Sequence, residues 1–447
     1  MSQANLSNSS PQAGGSDIFS RVSVIGLGRL GAPFALCCAS RGIETIGVDK
    51  NEVRVLQLNS GDFPWYEPKA QDLLTSHRSL LHFTTQYHEA IEKTNISVIL
   101  TPTPSKRSGE FSSVHVTDAI SSLIDAQIEA RKPIHLYIVG STLFPGASQT
   151  EILPLFQRLE EKGLQYLYAY CPEFVALGSA IDDFLKPSFV VIGEKDSVSG
   201  EAAQAFYQQL LLKEAHIIRT NLITAELAKV FLNVFLTIKI SFANLAGILC
   251  EMFPGADVDV VTHILGKDPR ISPKFLKCGA PFGGTCFPRD VNAFRALMSK
   301  FNQHLPFPEA VQKVNELVLW YLVRRVVETG KRRVCVLGTS FKPGTSETTE
   351  SPSHKLIDLL LAHGLQIVVS DPLALERTRN MFGDLIQYEE DPKDAINRSE
   401  VVIVMVPHKE YKKLYRAFTS QHIVFDVWRI YRGKELQCAY NGFGLGT

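Results

Sequence analysis

Short runs of aliphatic residues recur along this chain, each closed by Gly, Asp, Ser or Pro and followed by a longer helical pattern. Arg21–Ile25, Thr45–Val48, Ser97–Leu100 and Ile134–Val139 are the first of them. Runs this short that do not alternate with polar residues suit strands buried on both faces of a parallel sheet. Ala169–Tyr170 and Phe189–Ile192 form a further pair around Cys171-Pro172-Glu173-Phe174. The rhythm then changes. Residues 224–249 read as one long helix, and helical patterns resume over 290–301 and 309–329. After the polar break Gly330–Arg333, strands return at Val334–Gly338, Gln366–Asp371, Val401–Val406 and Ile423–Asp426. The pattern predicts an α/β protein: two Rossmann-like parallel-sheet domains joined by a long central helix and a helical dimerisation region. The boundaries it suggests are a disordered tail over 1–20, domains over 21–215 and 216–329, and a second α/β domain over 330–447.

Composition narrows this picture without redirecting it. A length of 447 residues suits about three domains. Lys+Arg and Asp+Glu both total 46, so no bulk charge invites nucleic acid. Eight scattered cysteines match no zinc spacing and no compact disulfide framework, which implies reduced thiols, a cytoplasmic setting and no metal. The Ser/Asn/Gln/Gly-rich start lacks a basic, apolar leader. Val230–Leu249 is apolar enough to suggest a membrane span, but Asn233, Lys239 and Asn244 interrupt it. Such groups are costly at membrane depth. A buried helix at a subunit interface is expected instead, hence at least a homodimer and no membrane partner.

The first strand runs into Gly26-Leu27-Gly28-Arg29-Leu30-Gly31, then a helix to about Ser40, then a second strand ending in Asp49. Strand, G-x-G-x-x-G, helix, strand and acid form a dinucleotide fingerprint. Gly26 makes the tight turn, Gly28 admits the pyrophosphate, and Gly31 lets helix and strand pack closely. Asp49 suits a ribose diol and repels a 2′-phosphate, so NAD is expected over NADP. Thr101-Pro102-Thr103-Pro104 and Gly140-Ser141-Thr142 follow later strands. They fall where the nicotinamide half would lie in a parallel α/β sheet.

The most pointed chemistry lies in Ala280-Pro281-Phe282-Gly283-Gly284-Thr285-Cys286-Phe287-Pro288-Arg289-Asp290. Two glycines let the backbone approach a ligand, and a helix beginning near Phe287 would favour the Cys286 thiolate. Asp290 would share a helical face with Cys286. A buried structural cysteine on a tight turn is the plainer alternative. Lys229 and Asn233, four apart on the long helix, are expensive to bury unless something uses them.

Taken in order, these motifs resemble the UDP-glucose/GDP-mannose dehydrogenases, the nucleotide-sugar 6-dehydrogenases. To the stretches already named are added Leu58–Gly61 with Glu67-Pro68, Pro172-Glu173-Phe174, Ala225–Lys229 with Asn233, and Ser340-Phe341-Lys342-Pro343. The resemblance implies oxidation of a sugar C6 alcohol to the carboxylate with two NAD, through a cysteine thiohemiacetal and thioester. UDP-glucose is the default substrate, with GDP-mannose or a UDP-N-acetylhexosamine as alternatives. Carried onto matching positions, it makes Cys286 the nucleophile and Lys229 the oxyanion stabiliser, assisted by Asn233. Asp290 and Thr142 would position water, and Glu173 would be the general acid/base for hydrolysis. It further implies that Arg54, Thr103, Ser141 and Thr142 join Gly26–Gly31 and Asp49 around the cofactor. Arg270 would reach substrate across a dimer interface, and Lys277, Gly283, Phe341 and Lys342 would line the nucleotide-sugar site.

Three positions depart from the family pattern. Leu177 stands where a second glutamate is usual, Thr349 where an arginine is, and Asp426-Val427-Trp428 replaces Asp-Gly-Arg, with Arg429 one place later. These departures keep alive a non-catalytic nucleotide-sugar-binding homologue. A two-electron 3-hydroxyacid dehydrogenase of the 6-phosphogluconate type would share the first domain and the long helix. It would have no use for the thiol or the last domain.

Overall fold

The computed structural model describes residues 19–303 and 306–446, so the expected tail lies almost wholly outside the described residues. Two compact units emerge. The first runs to Pro104 and resumes over Ser112–Glu226; the second comprises Ser105–Phe111 and the chain from Leu227 onward.

The first unit is built on β1 (Arg21–Ile25), β2 (Glu44–Val48), β3 (Leu81–Thr84), β4 (Ile96–Ile99), β5 (Ile134–Val139), β6 (Gln165–Tyr170), β7 (Phe189–Glu194) and β8 (His216–Asn221). Their order is β3-β2-β1-β4-β5-β6-β7-β8. Strand order reverses between β1 and β4, the place where such sheets bind ligands. Apolar clusters cover both faces, one around Phe34, Leu36 and Phe206 and the other around Ile120, Tyr137 and Phe156. This double burial explains why the strands show no polar alternation. One pairing is not parallel: β6 and β7 meet antiparallel, through Ala169↔Glu194 and Tyr170↔Gly193 only. The connection between them holds one short helix, Ala180–Leu185.

The second unit carries β9 (Arg333–Leu337), β10 (Gln366–Ser370), β11 (Gln387–Tyr388), β12 (Val401–Val404), β13 (Ile423–Asp426) and β14 (Ala439–Gly442). All are parallel, in the order β11-β10-β9-β12-β13-β14.

The long helix, Leu222–Cys250, has 29 residues, roughly 43 Å of rise. By length and composition alone it could cross a membrane. Its polar residues contradict that: Asn233 and Asn244 are buried and hydrogen-bonded to Asp290 and Gly279. Opposed to them, Phe231, Phe235, Phe242 and Leu249 are all exposed. Their spacing puts them on one stripe of the helix.

Candidate active site

In the first unit the glycine loop follows β1 directly. Gly26 has φ +91° and donates its N–H to the Val48 carbonyl at 2.7 Å. A Cβ at Gly31 would lie 1.7 Å from the Gly26 carbonyl oxygen, whereas one at Gly28 would meet nothing within 4 Å. So Gly26 turns, Gly31 packs, and Gly28 leaves space open at the start of the helix Gly31–Ser40. At the end of β2, the Asp49 carboxylate accepts from the Leu27 N–H at 2.7 Å and the Asn51 N–H at 2.9 Å. Arg54 pairs with it at 3.0 Å. The fingerprint residues are thus together, with the acid and Arg54 at one end of the loop.

The Thr/Ser loops lie at the carboxyl ends of β4 and β5. Thr103 and Ser141 are buried, Thr142 half-buried, and Ser141 Oγ donates to the Thr101 carbonyl at 2.7 Å. Thr101 Oγ1 is buried with no hydrogen-bond partner among the described residues, a group left for something bound. These residues fit a dinucleotide. They would hold its diphosphate at Gly28 and the helix start, a ribose at Asp49, and its nicotinamide half near the Thr/Ser loops.

Glu173 follows β6, half-buried, and accepts from the Tyr207 hydroxyl at 2.9 Å. Burial, then the Glu173 charge, hold the Tyr207 phenol well above its usual range, so it donates. Leu177 lies half-buried in the same loop. There the Glu67 carboxylate fixes the chain by accepting from Gly178 and Ala180 N–H at 2.8 and 2.9 Å.

In the second unit Cys286 precedes the helix Phe287–Lys300, and its carbonyl accepts from Asp290 N–H at 2.8 Å. It is the exposed thiol of the eight. No disulfide engages it, and its Sγ lies 3.6 Å from the Thr285 hydroxyl. Cys278 is its opposite: fully buried, with burial pushing its thiol up to about 12 against the opposing charge of Arg429. Packing accounts for Cys278. Asp290 is wholly buried, with Asn233 Nδ2 on one carboxylate oxygen at 2.5 Å and Arg289 Nε on the other at 3.0 Å. Arg289 in turn lies 4.6 Å over the ring of Phe111. Lys229 is buried one turn before Asn233.

The loop leading to the thiol is gripped residue by residue. Arg429 donates to the Cys278 carbonyl at 2.7 Å, and Asn244 accepts from Gly279 N–H at 2.8 Å. The Asn315 amide both accepts from Phe282 N–H at 2.8 Å and donates to its carbonyl at 2.9 Å. A Cβ at Gly283 would fall 2.3 Å from the Glu350 carbonyl oxygen; one at Gly284, where φ is +82°, would fall 2.7 Å from the Phe341 ring. The sequence suggested that these glycines let a ligand come near. The close approach they permit here is made by the protein itself.

Two of the three departures take part in this grip. The Trp428 ring covers Gly279, and its Nε1 donates to the Met405 carbonyl at 2.8 Å. Arg429 is buried and spends its guanidinium on Asp259 and on three carbonyls, those of Val427, Phe443 and Cys278. Thr349 accepts Gly284 N–H on its carbonyl and donates its hydroxyl to Glu347 at 2.7 Å. Arg377 reaches the same Glu347 oxygen from the helix Leu375–Phe382 at 3.0 Å. Phe341 and Lys342 are half-buried beside Gly284, with the ammonium 5.7 Å from the ring. Lys277 is exposed. Arg270 stands apart from this cluster, exposed and folded back onto Asp268 at 2.6 Å.

Sequence reasoning missed Tyr207 beside Glu173 in the first unit, and Asn244, Asn315 and Arg289 around the thiol loop in the second. For the two asparagines a signal existed: a polar amide within a mostly apolar helical pattern must find partners. For Tyr207 there was none, since a tyrosine on an amphipathic helix reads as core.

Fold and geometry point to a class, an oxidoreductase with a nicotinamide-dinucleotide domain and a second unit presenting an exposed thiol. The chain belongs to the UDP-glucose/GDP-mannose dehydrogenase family. Residues 20–211 match its NAD binding domain, 223–317 its central domain and 335–433 its UDP binding domain. NAD is therefore the cofactor of the first unit. A UDP-glucose 6-dehydrogenase of Haloferax volcanii is 33% identical, across 93% of this chain and 98% of that one. A GDP-mannose 6-dehydrogenase of Pseudomonas savastanoi pv. phaseolicola is 30% identical, across 91% and 95%. The solved structure of a UDP-glucose dehydrogenase from Pyrobaculum islandicum superposes with a TM-score of 0.87 at 32% identity, covering 95% of this chain and 98% of that one.

Proposed function

We propose that this protein is a nucleotide-sugar 6-dehydrogenase that converts a C6 alcohol to the uronic acid, with UDP-glucose as substrate. The observation carrying this reading is the exposed Cys286 at a helix start, one turn from the buried Asp290–Asn233 pair. The Haloferax relative and the Pyrobaculum structure support UDP-glucose; the Pseudomonas relative supports GDP-mannose as the second substrate to test.

NAD, when bound, supplies the hydride acceptor for each of two oxidations. The residues of the chain do the rest. Lys229 and Asn233 stabilise negative charge developing on the C6 oxygen, each donor being worth about 3 kcal/mol. The Cys286 thiolate adds to the aldehyde carbon, forming a C–S bond while the carbonyl oxygen takes a proton; the product is a thiohemiacetal. Its oxidation leaves a thioester. Water held by Asp290 and Thr142 then attacks, Glu173 moves the proton, and the C–S bond breaks to free the carboxylate and the thiol. The balance is one alcohol, two NAD and one water to one carboxylate, two NADH and three protons. Tyr207 keeps Glu173 oriented between turnovers. The apolar stripe of the long helix supports a homodimer in which Arg270 reaches the neighbouring subunit's substrate, and a cytoplasmic setting suits this chemistry.

Counting NADH per nucleotide sugar across UDP- and GDP-sugars tests the proposal. Two per sugar is expected, with no uronic acid from Cys286→Ala. One per sugar, unchanged in that variant, would leave a two-electron dehydrogenase; binding without turnover would leave a non-catalytic homologue. Glu173→Gln should accumulate a covalent sugar thioester visible by intact-protein mass spectrometry.

A further inference from the structure

Trp65 has no part in the chemistry above, yet it touches two of the cofactor residues. It lies in the connection between the helices Glu52–Asn59 and Ala70–Ser76, half-buried, with Phe63 edge-on at 5.0 Å. The Arg29 guanidinium carbon is 5.1 Å from its ring centroid and that of Arg54 is 5.9 Å. Arg29 belongs to the glycine loop, between Gly28 and Gly31. Arg54 lies in the first turn of its helix, paired with Asp49 at 3.0 Å. Both side chains end in a guanidinium cation. An aromatic face attracts both. The indole Nε1 is buried with no hydrogen-bond partner among the described residues, so no hydrogen bond within the protein accounts for the ring's position.

We infer that Trp65 is a positioning residue for the dinucleotide. Its ring holds Arg29 and Arg54 at the adenosine diphosphate end, so that both cations are in place before the diphosphate arrives. Fixing long side chains beforehand lowers the ordering cost of binding. The inference rests on NAD as the cofactor, and it assigns this role to a residue that is neither in the glycine fingerprint nor an acid.

Calorimetry on the full chain, with NAD, ADP-ribose and nicotinamide mononucleotide as titrants, tests it. Trp65→Leu should weaken NAD and ADP-ribose roughly five- to twentyfold and leave the mononucleotide unchanged. Trp65→Phe, which keeps a π face, should recover most of the loss; it also serves as the working variant if the leucine form does not fold. In a protein already carrying Arg29→Met and Arg54→Met, Trp65→Leu should cost nothing more, because the ring acts through those arginines. Unchanged ADP-ribose affinity in Trp65→Leu, or an equal loss with and without the arginines, would overturn this inference alone. Failure of the unsubstituted protein to bind NAD would overturn the cofactor assignment and this inference with it.

Discussion

The two sheets open in the same way and end differently. Gly26 after β1 and Gly338 after β9 both have φ +91°, and each donates its N–H to the last residue of the neighbouring strand, Val48 at 2.7 Å and Ser370 at 2.9 Å. Each neighbouring strand then delivers an aspartate whose carboxylate accepts N–H groups of the glycine loop: Asp49 from Leu27, Asp371 from Thr339 and Ser340. Beyond this point the second crevice is filled. His408 sits 3.2 Å from Asp371, Ser340 lies 3.3 Å from the same imidazole, and Thr378 donates to Thr339 at 2.8 Å with His354 behind it. In the first crevice Gly28 faces open space and Asp49 has a partly exposed arginine for a partner. The shared turn is a folding device. What makes a dinucleotide site of it is the space left beside it.

The largest expected effect comes from closing the packing point of the first crevice. Gly31→Ala drives a Cβ into the Gly26 carbonyl oxygen, which should cost about 3 kcal/mol or more. Denaturant midpoints would measure it, and an unaltered midpoint would show that the turn yields easily. Next come the two aspartates. Asp371→Asn strips a wholly buried imidazole of its anion and disturbs the four backbone N–H groups the carboxylate accepts. A loss of about 2–4 kcal/mol follows. Asp49→Asn breaks a partly exposed pair and should cost about 1 kcal/mol at most, while eroding the preference for NAD over NADP. Equal stability losses would mean that the two crevices are not different in kind.

Acid should act on the filled crevice first. Burial holds the His354 imidazole down at about 4, opposed by the charge of Asp371. The unfolded chain takes up this proton near 6.5, so stability present above 6.5 is lost as pH falls from there towards 4. The size is roughly 3 kcal/mol. Asp371 follows in a lower window. Burial pushes its carboxyl up, but the bond and charge of His408 outweigh this and hold it at about 2, so its contribution disappears between about 3.8 and 2. Unfolding free energies at pH 7 and 4.5 should differ less in His354→Gln than in the unsubstituted chain. An identical pH slope would remove His354 from the explanation.

How much of this was legible in the sequence follows from the kind of constraint involved. The strands, the glycine loop and Asp49 announce themselves because burial on both faces and φ above zero restrict composition locally. Lys229 with Asn233, and Cys286 with Asp290, were visible as polar or reactive groups at helical spacing. What stayed hidden depends on distant partners. Nothing local in Arg289 points to Phe111, nothing in Tyr207 points to Glu173, and Gly283 and Gly284 gave no hint that Glu350 and Phe341 would occupy the space beside them. The antiparallel meeting of β6 and β7 escaped for the same reason, since it turns on a two-residue overlap.

The smallest stability effect is the most discriminating. A Cβ at Gly28 meets no protein atom within 4 Å, and φ there is not in the left-handed region. Gly28→Ala should therefore leave the unfolding free energy within about 1 kcal/mol of the original. The same methyl group stands where the diphosphate must approach the backbone, so NAD affinity should fall by at least about tenfold. Ser340→Ala in the second crevice should show the reverse, a measurable loss of stability with NAD affinity unchanged, because Ser340 Oγ is bonded to the Lys342 carbonyl at 3.0 Å and to His408. Calorimetric titration with NAD beside denaturant unfolding of the two variants would display both halves of the contrast. If Gly28→Ala bound NAD normally, the open space would not be the diphosphate site, and the distinction between an open crevice and a filled one would lose its functional meaning.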